Sequence, residues 1–248
     1  MAKTFLFLGA HCDDCEIGAG GLMIQAARAG HRVVVVSAVS DFSTWAATRG
    51  REAQTTAALL KLAADNGIEK RFLNYPYHVI DGGDLELKRQ FARIVLELKP
   101  DAAFIHHTED HFSDHIACGR AGHDALLFSH GLSGDLNSPR CPLIYGYTIT
   151  PWQTYRFEPD AYFDVADVMP EYMEMLNHLD RIYLHGPDAA MPPLDEFKQA
   201  KEGAPPIRLG PHALTKFADC IQHGSRGGMK FAIGLKTVWQ MPSRSKLW

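Results

Sequence analysis

The feature that most constrains the fold is a strand–helix–strand pattern at the start of the chain. The apolar run Phe5–Leu8 ends at Gly9, as expected of a short buried strand. A helical pattern over residues 16–29 follows and stops at Gly30, and the β-branched run Val33–Val36 is typical of a strand covered on both faces. Two strands joined by one helix form a parallel, right-handed unit. The pattern therefore predicts an α/β fold.

The same alternation continues along the chain. Further strands are predicted over 71–73, 101–105, 141–149 and 162–165, and helices over 48–65, 85–98, 116–128, 168–184 and 212–222. We expect a turn over 223–228, and the tail 229–248 fits either a strand or a helix. The chain should therefore form a mostly parallel sheet flanked by helices.

Length and charge define the broad class of protein. With 248 residues and a mass of 27.6 kDa, a single domain spanning 1–248 is expected. The net charge of −4 gives no reason to expect a nucleic acid or a membrane as partner, and no apolar run is long enough to span a bilayer. Because residues 1–4 lead into a strand without a signal-peptide pattern, we expect a cytoplasmic protein.

Residues 185–211 differ in character from the rest, because they contain six prolines and mixed charge. We expect a long surface loop or lid there, which is unusual inside a compact domain. Such a segment would either cover a pocket and set specificity or pack against a second copy of the chain in a homo-oligomer.

The five cysteines argue against a disulfide framework, because their number is odd and the sequence is of a cytosolic type. Cys12 and Cys15 have the spacing of a redox or zinc motif. The two acidic residues between them would raise the thiol pKa values, and no matching second pair exists for a structural zinc site.

A first polar cluster follows the first strand directly and contains His11, Asp13 and Asp14. Ligands of α/β proteins gather at the carboxyl ends of parallel strands, and histidine and carboxylate side chains are catalytic zinc donors. Neighbouring side chains in an extended stretch point to opposite sides, so one aspartate can bind a metal while the other moves a proton. No G-x-G-x-x-G is present, and the glycines over 18–21 instead allow close packing of the helix.

A second polar cluster, residues 106–115, follows the strand predicted over 101–105. It holds four histidines and three carboxylates in ten residues. From this cluster His111, Asp114 and His115 are the candidate site residues, with His106 and His107 behind them. Two clusters at neighbouring strand ends would meet at one crevice and provide the donors for metal-assisted hydrolysis of an amide or ester.

Aromatic side chains in several loops are candidates for stacking on a sugar ring, and ordinary packing explains each of them equally well. These residues are Trp45, Tyr75, Tyr77, Trp152 and Tyr155. We select Trp45 as a substrate-binding candidate, together with Asp81 from the loop that joins Tyr75 to Asp84.

Several motifs resemble segments of the LmbE/PIG-L family of zinc-dependent N-deacetylases. The segments are Ala10-His11-Cys12-Asp13-Asp14 with Glu16–Gly21 after it, Arg49-Gly50-Arg51-Glu52-Ala53, Asp114-His115 and Phe157–Val165. The first motif is the most specific, and the resemblance covers residues 4–170 well.

This resemblance implies a Rossmann-like α/β layer structure and the removal of an acetyl or other acyl group from an amino sugar or its conjugate. It implies that His11, Asp14 and His115 bind Zn²⁺, for which Fe²⁺ is the alternative ion. It also implies that Asp13 is the general base and that Arg49 contacts the substrate or the tetrahedral intermediate. The partner would be a small-molecule N-acylated amino sugar or its conjugate, such as one of N-acetylglucosamine.

Two positions depart from the family pattern. Cys12 stands where the family has proline, which loosens the turn without removing a ligand. The family histidine two residues before Asp114 falls on Phe112, and the neighbouring His111 is the candidate to support the oxyanion instead. Asp114 is expected to orient a neighbouring histidine. These departures keep two alternatives open, namely a zinc-dependent hydratase or lyase on the same scaffold and a non-catalytic binding protein.

Overall fold

Seven strands form one mixed sheet in the computed structural model, which describes residues 1–46, 48–135, 138, 140–186 and 209–241. The strands are β1 (Thr4–Gly9), β2 (Arg32–Asp41), β3 (Ile68–Pro76), β4 (Ala102–His106), β5 (Leu143–Tyr147), β6 (Ala161–Asp164) and β7 (Ala232–Gln240). The helices are α1 (Asp14–Arg28), α2 (Glu52–Asp65), α3 (Leu85–Leu98), α4 (Ser113–Ser133), α5 (Met169–His185) and α6 (Pro211–Gly227).

The order of strands across the sheet is β3-β2-β1-β4-β5-β7-β6. Neighbouring strands from β3 to β5 pair in parallel, and β7 pairs antiparallel with both β5 and β6. The central strands are completely buried, because helices cover both faces of the sheet. The predicted fold class, a mostly parallel α/β sheet flanked by helices, is confirmed.

Helices pack in two layers. Helices α3 and α4 pack against each other, and α4 also contacts β1 and β4. Helix α5 contacts α1, α2 and α6, and α1 contacts β1, β2 and β3. This division follows from right-handed crossovers, because the chain moves outward from β1 to β3 and then returns past β1 to β4.

The strand order reverses between β1 and β4, which lie side by side at the centre of the sheet. Phe7 of β1 is in register with Phe104 of β4, and their rings stack with centroids 4.2 Å apart. A reversal of this kind opens a crevice at the carboxyl ends of the strands. Both polar clusters predicted to form a site begin at these two strand ends.

The glycines at the start of α1 allow that helix to approach its neighbours closely, as predicted. A Cβ atom added at Gly18 would collide with the ring of Tyr147 in β5, and one at Gly20 would collide with Met175 in α5. Gly18 therefore fixes how near the first turn of α1 lies to the sheet. This turn also carries Asp14, so the glycines help to position the site.

Several predicted boundaries differ from the observed ones, and glycine conformation explains the difference at two helices. Helix α2 begins at Glu52 rather than at 48, because Gly50 has a φ of +80° and its N–H donates to Glu52 Oε1 at 2.8 Å. Helix α6 continues to Gly227 through the predicted turn over 223–228, and it ends where Gly228 has a φ of +70°. The tail then forms strand β7.

Most of the predicted lid over 185–211 lies outside the described residues, which end at 186 and resume at 209. Among the helices that are described, none is both long and apolar enough to cross a membrane.

A buried ion pair joins helix α1 to strand β3. Lys70 Nζ lies 2.6 Å from Glu16 Oε1, and both side chains are at most 4% exposed. Burial lowers the pKa of Lys70, but the carboxylate of Glu16 outweighs burial and raises it above its ordinary value. The charged pair is therefore the stable state, and each partner depends on the other because neither charge reaches water.

Replacing Lys70 with methionine should destabilise the protein strongly, because the carboxylate of Glu16 would remain buried without its partner. We expect Lys70→Met to lower the free energy of unfolding by about 3–5 kcal/mol. The matched control is Lys61→Met, which removes an exposed pair with Asp65 of the same 2.6 Å length and should cost only a small fraction of that. Urea denaturation measures both, and equal losses in the two variants would contradict this account.

Candidate metal centre

The structure brings together three side chains that can hold one metal ion. These are His11 after β1, Asp14 in the first turn of α1 and His115 in the first turn of α4. All three are buried, and their ligand atoms lie within 4.8 Å of one another. His11 Nδ1 is 3.1 Å from His115 Nε2, which in turn is 3.4 Å from Asp14 Oδ1. Two imidazoles and one carboxylate around an open position form a donor set typical of catalytic zinc.

The carboxylate of Asp14 is held in place by the loop that precedes it. Its Oδ2 accepts hydrogen bonds from the backbone N–H groups of Ala10 at 3.1 Å and of His11 at 2.6 Å. The same oxygen lies 3.0 Å from Nε2 of His106, the last residue of β4. These contacts leave Oδ1 free to face His115, so the carboxylate presents one oxygen to the centre of the cluster.

Each histidine of the cluster has a carboxylate at its outer nitrogen. His11 Nε2 lies 3.0 Å from Asp114 Oδ2, and His115 Nδ1 lies 3.2 Å from Asp110 Oδ2. Histidines that bind metals in proteins commonly donate their second N–H to a carboxylate, which fixes the ring and its tautomer. The inner nitrogens are thereby left as acceptors, so the residues present fit a divalent metal ion.

Asp114 is itself fixed by the backbone. It is fully buried and accepts N–H groups from His78 at 2.7 Å and from Ile80 at 3.1 Å. His78 reaches this position with a φ of +65°, a conformation that costs energy for a residue other than glycine. Asp114 therefore lies in a fixed position beside His11, and its role in orienting that ring stays a prediction.

The charges in the cluster balance one another strongly. Burial opposes protonation of His11 and His115, but Asp14 and the outer carboxylates outweigh burial and raise their pKa values to about 9 and about 10. Burial also opposes ionisation of Asp14, yet His115, His11 and His106 hold its pKa well below its ordinary value. The cluster therefore favours positive charge beside Asp14, which a divalent cation would supply as it displaces the imidazole protons.

The carboxylate of Asp13 has different surroundings from that of Asp14. Asp13 precedes α1 and its side chain caps no backbone N–H group of that helix. Burial and the neighbouring charge of Asp14 raise its pKa above the ordinary value for an aspartate. A carboxylate that is not engaged by the helix and whose proton affinity is raised suits proton transfer better than permanent ligation.

A cavity of about 200 Å³ opens beside the cluster. It is lined by His11, Cys12, Asp13, Asp14, Ile17, Phe42, Trp45, Tyr77, Phe112, His115, Ile149, Gln153 and His212. The polar residues of the cluster occupy one part of the wall and apolar or aromatic residues much of the rest. The rings of Trp45 and Tyr77 are nearly parallel, with centroids 6.1 Å apart.

The structure does not bring every predicted site residue to this cavity. Arg49 is exposed, and its Nε donates to the carbonyl oxygen of Ser43 at 3.2 Å. Asp81 is also exposed, and its Oδ1 accepts the N–H of Gly83 at 2.7 Å within a turn. Neither is among the described residues that line the cavity, so the catalytic and binding role predicted for Arg49 and the binding role predicted for Asp81 have no support from the geometry.

His111 lies outside the cavity as well, and Phe112 lines it instead. The segment before α4 pairs with residues 153–154, since the N–H of His111 donates to Gln153 O at 2.8 Å. Alternate side chains of a paired segment point to opposite sides. Asp110 therefore faces His115, whereas His111 turns outward, with its Nδ1 at 2.6 Å from Tyr155 Oη.

The sequence did not predict Asp110 or His212 at the site, and it gave Tyr77 only as an unselected candidate. Asp110 belongs to the second polar cluster, where a carboxylate five residues before His115 was a usable signal. Tyr77 was one of several equal aromatic candidates. His212 follows a proline-rich segment far along the chain, where no strand end or motif marks it.

The five cysteines are free and buried. Cys12 Sγ lies 2.9 Å from Tyr183 Oη, and Cys15 Sγ lies 3.3 Å from Tyr147 Oη. Burial raises the pKa of both thiols well above the ordinary value. These environments favour neutral thiols, so the redox interpretation of the spacing gains nothing from the structure.

Metal affinity should depend on Asp114, although the side chain of Asp114 is not one of the three candidate ligands. We expect Asp114→Asn to weaken Zn²⁺ binding by about 10–100-fold, because the ring of His11 would lose the charged acceptor that orients it. Asp124→Asn, a partly exposed residue of the same helix that pairs with Lys88 of α3, is the control and should bind like the wild type. Competition with a chromophoric chelator measures both affinities. An unchanged affinity in Asp114→Asn, with thermal unfolding also unchanged, would contradict the proposed orientation.

Comparison with solved structures agrees with this architecture. GalB, the 4-carboxy-2-hydroxymuconate hydratase of Pseudomonas putida, is 17% identical with a TM-score of 0.71, over 98% of this chain and 99% of that one. N,N′-diacetylchitobiose deacetylase of Pyrococcus horikoshii is 18% identical with a TM-score of 0.67, and the match covers 96% of this chain and 84% of the deacetylase. A conserved protein of Thermus thermophilus is 16% identical with a TM-score of 0.70, and the match covers 100% of this chain and 99% of the Thermus protein. At these identities the likeness establishes the fold.

The family comparison is more specific, because it is a comparison of sequences. Residues 6–126 match the family model described as PIG-L, GlcNAc-PI de-N-acetylase. The matched segment contains both polar clusters and all three residues of the candidate metal centre. Residues 6–126 are therefore similar in sequence to the PIG-L (LmbE-like) family, and the fold of the whole chain agrees with that similarity.

Proposed function

We propose that this protein is a metal-dependent hydrolase that removes an acetyl or other acyl group from the nitrogen of an amino sugar or its conjugate. The observation that carries the proposal is the arrangement of His11, Asp14 and His115 around one position, with the carboxylate of Asp13 lining the same cavity. The family match supports hydrolysis of an N-acetyl group, and the structural neighbours include a deacetylase of N,N′-diacetylchitobiose.

The metal that we propose is Zn²⁺, with Fe²⁺ as the alternative. His11 Nδ1, His115 Nε2 and a carboxylate oxygen of Asp14 would hold it, and this mixture of imidazole and carboxylate suits either ion. When bound, such an ion polarises a carbonyl group and makes water more acidic. The three side chains leave the ion accessible from the cavity, where an amide can enter.

Asp13 is the proposed general base. Its carboxylate lines the cavity next to the ligand Asp14, yet it makes no cap contact to α1. It can therefore accept a proton from the water that attacks the amide carbon. The C–O bond then forms. When the C–N bond breaks, its electron pair stays on the nitrogen, which gains a proton and leaves as the amine, and the protonated Asp13 gives up its proton in exchange through solvent. A positioned base of this kind accelerates a reaction by about 10²–10⁴-fold.

The apolar part of the wall gives a reason for an acylated sugar as substrate. Ile17, Phe42 and Ile149 provide a surface for an acyl chain. The nearly parallel rings of Trp45 and Tyr77 provide the flat apolar faces on which sugar rings stack. The proposed substrate therefore has a short acyl group on a sugar nitrogen.

One observation favours a second candidate, which is hydration of a carbon–carbon double bond. Phe112 lines the cavity where the family motif has a histidine, so the oxyanion lacks that donor. One structural neighbour is described as a hydratase. The two candidates differ in product, because hydrolysis releases a primary amine and hydration releases none.

The Asp13→Asn variant tests the proposal, because asparagine keeps the shape of the side chain and cannot accept the proton. We expect kcat for amine release from N-acetylglucosamine conjugates to fall by about 10²–10⁴-fold, while the variant still binds one metal per chain. Asp65→Asn, on the surface of α2, is the control and should keep full activity. Full activity in Asp13→Asn, or a zinc-loaded wild type that releases no amine, would contradict the proposed function.

A further inference from the structure

His212 lines the cavity, and nothing in the proposed reaction uses it so far. It lies at the start of α6, just after Pro211, with 36% of its side chain exposed. It is not part of the cluster that can hold a metal. An imidazole at the wall of a reaction cavity is a candidate for proton transfer, provided that its ring is held in one orientation.

Asp180 of α5 provides that orientation. Its Oδ1 lies 2.5 Å from His212 Nδ1, and the carboxylate is only 1% exposed. Its Oδ2 accepts the backbone N–H groups of His212 at 3.1 Å and of Ala213 at 3.3 Å. One buried carboxylate therefore caps the first turn of α6 and binds the ring that this turn carries, which fixes Nδ1 as the donor toward Asp180.

The backbone at Gly210 leaves room for the carboxylate of Asp180 beside His212. A Cβ atom at Gly210 would collide with the carboxylate of Asp180, so only glycine permits this approach. The N–H of Gly210 also donates to Asn177 Oδ1 at 2.9 Å, which anchors the chain just before the helix. The position of His212 is thus determined by several independent contacts rather than by the salt bridge alone.

Because Nδ1 is engaged by Asp180, Nε2 is the ring nitrogen that remains for a ligand in the cavity. The other histidines that line the cavity, His11 and His115, belong to the metal cluster. His111 faces Tyr155, and the position after it is Phe112. Among the residues that the structure describes, His212 is therefore the only cavity histidine outside the cluster.

The charge of Asp13 favours protonation of this ring. Burial lowers the pKa of His212, but the hydrogen bond to Asp180 and the charges of Asp13 and Asp180 outweigh burial and raise it. The carboxylate of Asp13 and the imidazole of His212 line the same cavity, and Asp180 holds the imidazole from its Nδ1 side.

We propose that His212 is a further catalytic residue, which donates its Nε2 proton to the leaving amine while Asp180 orients the ring. This inference rests on the proposed hydrolysis. The attacking water loses one proton to Asp13 as its oxygen bonds to the amide carbon. When the C–N bond breaks, the electron pair stays on nitrogen, which takes the proton from His212. Transfer from Asp13, through solvent, then restores the imidazolium.

The leaving group provides the sharpest test of this role, because an amine must be protonated to leave whereas 4-nitrophenolate leaves without a proton. We expect His212→Gln to lower kcat for amine release from N-acetylglucosamine conjugates by about 10²–10⁴-fold. The same variant should hydrolyse 4-nitrophenyl acetate at a rate within a few-fold of the wild type (roughly a factor of three). His178→Gln, a half-buried histidine of α5 outside the cavity, is the matched control and should change neither rate.

Asp180 is a positioning residue, so its substitution should also slow amine release without slowing hydrolysis of the nitrophenyl ester, but by a smaller factor than His212→Gln. We expect Asp180→Asn to lower amine release by about 10–100-fold and again to spare the nitrophenyl ester. If both substrates slow equally in Asp180→Asn and in His212→Gln, the pair is only structural and the inference is overturned.

A binding measurement that does not depend on catalysis tests the role of His212 separately from the proposed hydrolysis. The imidazole nitrogens of His212 are followed by ¹⁵N NMR in zinc-loaded protein during titration with acetate, the acid product of deacetylation. We expect Nε2 to shift and Nδ1 to stay constant. An unmoved Nε2, or amide turnover that is unchanged in His212→Gln, overturns the role of His212. A shifted Nε2 in a protein that releases no amine contradicts the hydrolysis and keeps His212 as a group that contacts ligands.

Discussion

The site depends on one physical arrangement, in which buried carboxylates hold imidazole rings from behind. Asp114 is hydrogen-bonded to the outer nitrogen of His11, and Asp110 lies 3.2 Å from the outer nitrogen of His115, so the inner nitrogens face Asp14. Burying a charged group costs free energy unless an opposite charge lies beside it. The carboxylates and imidazoles of the site therefore form one set, whose members stabilise one another only when all of them are present. A divalent cation at the centre completes that set, which is why the geometry argues for a metal more strongly than the residue types alone.

The fold delivers these partners because the strand order reverses between β1 and β4. The loop after β1 brings His11 and the two aspartates, and the loop after β4 brings the first turn of α4. Helix α6 reaches the same crevice from the far end of the chain and adds His212. The crevice thus combines the candidate metal centre, which follows β1 and β4, with the pair His212 and Asp180 from α6 and α5, for which we propose proton donation.

Much of this could be predicted from sequence where the signal is local. The apolar run before Gly9 and the polar residues after it belong to one short stretch, so His11 and Asp14 could be selected from it as candidate metal ligands. The orientation of His111 could not, because it depends on pairing with residues 153–154, which lie some forty positions later. His212 could not be identified either, since its partner Asp180 is distant in sequence and neither residue has a motif around it.

The central claim is that His11, Asp14 and His115 hold one divalent metal. Anomalous diffraction at the zinc edge, from crystals grown with Zn²⁺, tests it most directly. We expect a single strong peak per chain within bonding distance of His11 Nδ1, His115 Nε2 and a carboxylate oxygen of Asp14, with Asp114 and Asp110 still next to the outer nitrogens of the two rings. A peak at other residues, such as the pair Cys12 and Cys15, or no peak between the three side chains, would contradict it.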